Sequence, residues 1–138
     1  MAEWGVRVEG LTDLEDATDD LIERLAAAAM RIVVDLGALT EAGAKKNFVG
    51  SHAPGMPHVG GNRPNVVTGY LRRSIGMNVP IQIGSMWQTE VAPTAVYGRR
   101  VELGLDPTKS FPYLQPALVD VAVVAPALAT SRWNAALS

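Results

Sequence analysis

Leu14, Ala17, Leu21, Leu25, Ala28, Ile32, Leu36 and Leu39 recur at steps of three and four, which places them along one stripe of an α-helix. A helix running from Thr12 to about Phe48 would be roughly 50 Å long at about 1.5 Å per residue. A chain of 138 residues then has to pack nearly everything else against one rod. Thr12 with Glu15 three positions on has the pattern of a capping box. Asp13, Glu15 and Asp16 follow in the first turn, where the helix dipole favours negative charge. Gly37 and Gly43 are the positions where the rod is expected to bend or end. Alanine and glycine are too frequent along the stripe for a strong coiled-coil seam, so its expected use is to cover a sheet.

The remaining elements are shorter. Trp4, Val6 and Val8 alternate with small or charged residues and read as a strand. The stretch 50–66 holds three prolines, His52, His58 and several glycines without periodicity. It is expected to be a long loop, either an arm that orders against a neighbouring subunit or a flexible segment. From Thr68 to Ile75 an irregular loop is expected to give way to a strand from Ser74 to about Gln82. Gly84 and Ser85 turn this strand into a second, Met86 to about Val91. Met77, Val79, Ile81 and Ile83 share one face of that hairpin unless Pro80, which has no amide donor, marks an edge or a bulge. A short helix through Val96, Tyr97, Arg100, Val101 and Leu103 is stopped by Gly104. Asp106 to Ser110 reads as a turn. A terminal helix enters near Pro116, with Leu118, Val121, Ala122, Ala125, Leu128 and Ala129 buried and a kink at Pro126. The expected fold class is α+β: a long N-terminal helix and a C-terminal helix on a small antiparallel sheet, all in one domain over 1–138.

Charge is segregated along the chain. Nine acids and two bases lie between Glu9 and Glu41, whereas seven bases and Glu90 alone lie between Lys45 and Arg100. Opposite fields on two regions favour head-to-tail association of identical copies, or else mark two solvated faces of one monomer. The whole chain carries only −2, which argues against a dedicated nucleic-acid binder. The apolar runs 25–34 and 119–128 are short for a bilayer span, and the first residues lack the pattern of a signal sequence. No membrane partner is therefore expected.

Candidate chemistry is sparse. There is no cysteine, hence no thiol nucleophile, thiolate metal site or disulfide. His52 and His58 lack grouped ligands for a metal and read as solvated loop residues. Ser74 sits in no Gly-x-Ser-x-Gly elbow, and Gly60-Gly61-Asn62 is not followed by the lysine of a phosphate cradle. No catalytic, cofactor or metal residue is assigned. Arg72 with Arg73, and Arg99 with Arg100, are the more pointed features. They offer positive projections to phosphates of DNA, or to carboxylates of a neighbour such as Asp19 or Asp20.

Three blocks stand in order: Thr68-Gly69-Tyr70-Leu71-Arg72-Arg73-Ser74-Ile75, Tyr97-Gly98-Arg99-Arg100-Val101-Glu102-Leu103-Gly104 and Phe111-Pro112-Tyr113-Leu114-Gln115-Pro116-Ala117-Leu118. In this order and spacing they resemble a family of small proteins at the head-tail junction of long-tailed bacteriophages. That family carries a TG-L-SI block, a YA-x-x-VE-x-G block and a P-F-L-x-P-A block. Gly98 stands where alanine is usual, Leu103 where an aromatic is usual, and Tyr113 departs within the third block.

The resemblance implies a non-enzymatic virion component, assembled in the host cytoplasm: a neck, tail-completion or tail-terminator subunit in a hexameric ring. Its partners would be copies of itself, other neck and tail-tube proteins and, non-specifically, DNA in the channel. Arg63, Arg72, Arg73, Arg99, Arg100, Asp19, Asp20, Phe111, Tyr113 and Leu114 are the expected contact residues, and Glu102 is expected to pair with an arginine inside the fold. The reading of a different class is a small DNA-binding module built on the basic middle segment.

Overall fold

The computed structural model describes residues 7, 9–104 and 109–138. The expected strand from Trp4 and the turn at Asp106 lie outside them. The long helix, α1, spans Leu11–Lys46 without interruption, about 54 Å of rod. Its cap is Gly10, at φ 85°, whose carbonyl accepts the first turn's bond from the Leu14 amide at 2.9 Å. Thr12 is therefore already inside the helix, and the expected capping box does not form, because no side chain caps this end.

Neither Gly37 nor Gly43 ends the helix; both sit at close crossings. A Cβ on Gly37 would run into the Met77 side chain and meet Thr89 Cγ2 at 2.9 Å, and one on Gly43 would meet Ala117 Cβ at 3.2 Å. The missing Cβ makes room for the Met77 and Thr89 side chains at Gly37 and for α4 at Gly43.

The C-terminal helix, α4, spans Leu114–Leu137, and Pro126 lies within it. Gly43 faces Ala117, while Arg24 donates to the carbonyls of Ala136 and Ser138 at 3.1 and 3.4 Å, so α4 runs antiparallel along α1. Arg132 joins the two through Asp35, with Nε at 2.8 Å and Nη2 at 2.6 Å from the same carboxylate oxygen. By length and mean hydropathy alone, 1.4 over its most apolar window, α4 could cross a membrane. The apolar run is thus longer than the sequence reading gave it. Here one face lies along α1, and the ion pair with Asp35 fixes its register.

Between the helices the chain forms one bent hairpin instead of two long strands. Strands β1 (Ile75–Met77) and β4 (Val91–Pro93) pair antiparallel, and so do β2 (Ile81–Ile83) and β3 (Met86–Gln88). Met77 opposes Val91 and Ile81 opposes Gln88, and the Asn78 amide bonds Glu90 O at 2.9 Å. Val79 and Pro80 therefore face Thr89 alone, the signature of a bulge. The missing amide of Pro80 falls where the ladder is already broken. The bulge also ends the expected common face: Met77 packs inward against α1, while Val79, Ile81 and Ile83 are exposed. Gly84, at φ 61°, supplies the positive first position of the two-residue turn.

The chain before β1 is helical, which corrects the expected loop-to-strand passage. Tyr70–Ser74 forms a five-residue helix, α2, entered through Gly69 at φ 78°. Gly98–Leu103 forms α3, and Gly104 stops it at φ 64°.

The core lies where α1 ends. Ala44, Leu71, Ile75, Ala95, Tyr113 and Ala117 form one buried cluster, with Phe48, Val91, Val101 and Leu114 packed against it. Each of the three sequence blocks contributes: Leu71 and Ile75 from the first, Val101 from the second, Tyr113, Leu114 and Ala117 from the third. Their order in the sequence is thus the order in which the chain returns to one core.

Candidate functional site

Several expected contact residues turn out to hold the fold together. Tyr113 is fully buried, at 0% exposure. Its hydroxyl donates to Gly98 O at 3.0 Å, and its ring lies 5.2 Å from that of Phe48. Burial pushes its phenol up to about 12, and the charges of Glu102 and Tyr97 add to the rise. A side chain so enclosed belongs to the core and not to a contact surface. Leu114 is half-buried beside it.

Glu102 is structural, but its partner is a helix end and not an arginine. Its Oε2 accepts from the Tyr113 and Leu114 amides at 2.7 and 2.9 Å, and its Oε1 from Gln115 at 2.9 Å. Three amides that α4 cannot satisfy internally thereby share one carboxylate, whose charge also suits the positive end of the helix. Phe111, whose amide bonds Val101 O at 2.8 Å, brings the third block to α3.

The loop 50–66 is tied to its own chain. Ser51 and Val66 form a parallel bridge at its base. Asn65, buried, donates to Val49 O at 2.6 Å and Val59 O at 3.0 Å, and accepts from the Val59 amide at 2.8 Å. His58 stacks on Phe111 with ring centres 4.0 Å apart, and its Nε2 lies 2.8 Å from Arg63 O. Arg63 in turn donates to Pro112 O at 3.2 Å. His58 is thus half-buried in a clamp, not solvated, and the arm folds back on the entrance to α4.

Arg72, Arg73, Arg99 and Arg100 are exposed, as are Asp19 and Asp20. Arg72 and Arg73 line a cleft of about 570 Å³ with Lys45, Val66, Thr68 and Gly69. Lys45 is held by Glu41 at 2.7 Å, and Arg73 donates to Thr68 O at 3.3 Å. The Arg72 guanidinium has no partner among the described residues. The Tyr70 and Tyr97 rings, 6.3 Å apart, set α2 beside α3, which carries Arg99 and Arg100.

At the other end of α1 every residue from Thr12 to Asp20 is exposed. Asp20 is paired with Arg24 at 3.0 Å. Asp19 has no ion-pair partner among the described residues.

Apolar surface is left uncovered in two further places. A groove of about 670 Å³ between α1, β4 and α4 is lined by Leu36, Thr40, Val91, Leu118, Val121 and Ala125, among others, and on α4 Val119, Val123 and Val124 are also exposed. The hairpin tip presents Val79, Ile81, Ile83 and Met86. Among the described residues no group of three or more His, Asp or Glu could hold a metal. The groove carries no paired acid, base and nucleophile. The Glu102 pairing joins the second block to the third, which the order of the blocks hinted at, whereas the stacking of His58 on Phe111 joins residues far apart in sequence and had no signal there. Comparison with family models, with curated proteins and with solved structures returns no match.

Proposed function

We propose that this chain is a non-enzymatic building block of the phage neck, a subunit that associates with copies of itself into a ring joining tail tube to head. The observation that carries the reading is the apolar surface left bare on α4, in the groove and at the hairpin tip, the kind of surface that marks an interaction site where it is contiguous. The resemblance of the three blocks supplies the kind of assembly. All three blocks place residues in or against one core, which is in keeping with that resemblance.

The mechanism is geometric. Identical subunits bury unlike faces against one another until rotation closes the ring, leaving a lumen for DNA. Electron microscopy of virions with a label fused to this protein tests the proposal. A label at the junction between capsid and tube is the expected result, and a label anywhere else overturns it.

A further inference from the structure

We infer that the first turns of α1 in one copy dock on the basic cleft of Lys45, Arg72 and Arg73 in the next copy. The contact rests on the reading of the chain as a self-assembling subunit and gives that assembly its head-to-tail direction.

The donor is an amphipathic rod. Asp16, Asp19 and Glu23 are exposed and spaced by three and four residues, so they share one stripe of α1. None of them is ion-paired among the described residues. Ile22, 58% exposed, borders that stripe three residues on from Asp19, while Leu14, 63% exposed on the opposite face, continues the helix's apolar stripe beyond the end of α4.

The acceptor has the matching composition. Arg72 and Arg73 stand over the cleft together with Lys45, which Glu41 already pairs at 2.7 Å, so the two arginines supply its net positive charge. A smaller apolar hollow adjoins it, lined by Phe48, Val67, Leu71, Tyr97 and Val101 together with Arg72 itself. Val67 and Tyr70 add exposed apolar surface at the rim. Cations flanked by apolar side chains suit an acidic amphipathic helix better than a phosphate backbone, which makes no use of the hollow.

A single copy cannot make this contact. Asp16 and Lys45 lie on the same unbroken helix, about 44 Å apart at about 1.5 Å per residue. Each molecule therefore presents both halves of the interface at opposite ends, the condition for a heterologous, repeating contact.

Charge-swap rescue tests it. Sedimentation velocity on the full chain is compared for wild type, a tip variant (D16K/D19K/E23K), a cleft variant (R72E/R73E) and a chain with all five changes. Circular dichroism verifies the fold of each. Either variant alone is expected to weaken association about tenfold or more, as like charges then face each other. A one-to-one mixture of the two variants, or the five-fold chain, is expected to restore it.

If a reversal does not fold, the neutral pair D16N/D19N/E23Q and R72Q/R73Q gives the same readout as a loss of salt-dependent association. A wild type that associates while the variants associate equally well, or while the mixture stays dissociated, overturns this contact and leaves self-assembly standing. A wild type that remains monomeric alone and on tail tubes overturns both. Duplex-DNA binding by that monomer, lost in R72E/R73E, would instead mark the cleft as a phosphate site and overturn the inference.

Discussion

Glu102→Ala should loosen the whole head of α4, because one carboxylate receives three of that helix's first amides. Hydrogen bonds to a charged group contribute about 1.5–3 kcal/mol each when their loss leaves a buried donor bare. Two of these three amides are partly enclosed, while Gln115 is exposed and can turn to water. Replacing a helix cap by alanine costs about 0.5–2 kcal/mol in general, so the loss of this three-pronged cap should cost about 2–3 kcal/mol. Unfolding entropy of about 2.1 cal/mol/K per residue makes that a fall in Tm of about 7–10 °C for a chain of this length. Glu102→Gln keeps the shape but sets an amide NH2 against a backbone donor, and about half the loss is expected. Thermal unfolding followed by circular dichroism measures both. Melting of both variants within about 1 °C of wild type would refute the role of Glu102 as the clamp of α4.

Gly98→Ala should destabilise by about 2 kcal/mol, since the added Cβ meets the ring of Pro93 and the Tyr113 oxygen at 3.0 Å; urea unfolding reads this. Gly43→Ala crowds Ala117, whose Cβ it meets at 3.2 Å, but gains about 1 kcal/mol of helix propensity; the two effects offset, so its unfolding midpoint should stay close to that of wild type. The folded chain holds the Tyr113 proton to about pH 12, against 10.0 unfolded. Its contribution is thus complete below pH 10 and is lost as pH rises from 10 towards 12. Tyr113→Phe should flatten that alkaline fall in urea titrations. Asn65→Ala removes the tie between Val49 and Val59 and should open the loop 50–66 to limited proteolysis while α1 and α4 stay protected.

The sequence carried the large features by local means. The apolar rhythm of α1, the turn at Gly84 and Ser85, the bulge at Pro80 and the stop at Gly104 each need only neighbouring residues to be read. Tyr70–Ser74 misled because five residues are too few for a helical period to stand out from the alternation that follows. Thr12 misled because the chain turns into the helix at Gly10, whose positive φ starts α1 ahead of the capping pattern.

The sites were less legible. Glu102 meets amides 11 to 13 residues further on, beyond the reach of any local pattern, and His58 meets Phe111 only after the loop folds back. Tyr113 was expected at a contact surface as part of the third block, and nothing in a short motif says which of its side chains face inward. Exposure of Arg72, Arg73, Asp16 and Asp19 agrees with the segregated charge, which is a property of composition along the chain and survives folding.

The mass of the purified protein in solution, measured over a range of concentrations alone and then with tail tubes, bears most directly on the account. One closed oligomer of fixed size, formed in solution or on the tube, is the expected result. A species that stays monomeric at every concentration and leaves the tubes bare would contradict it.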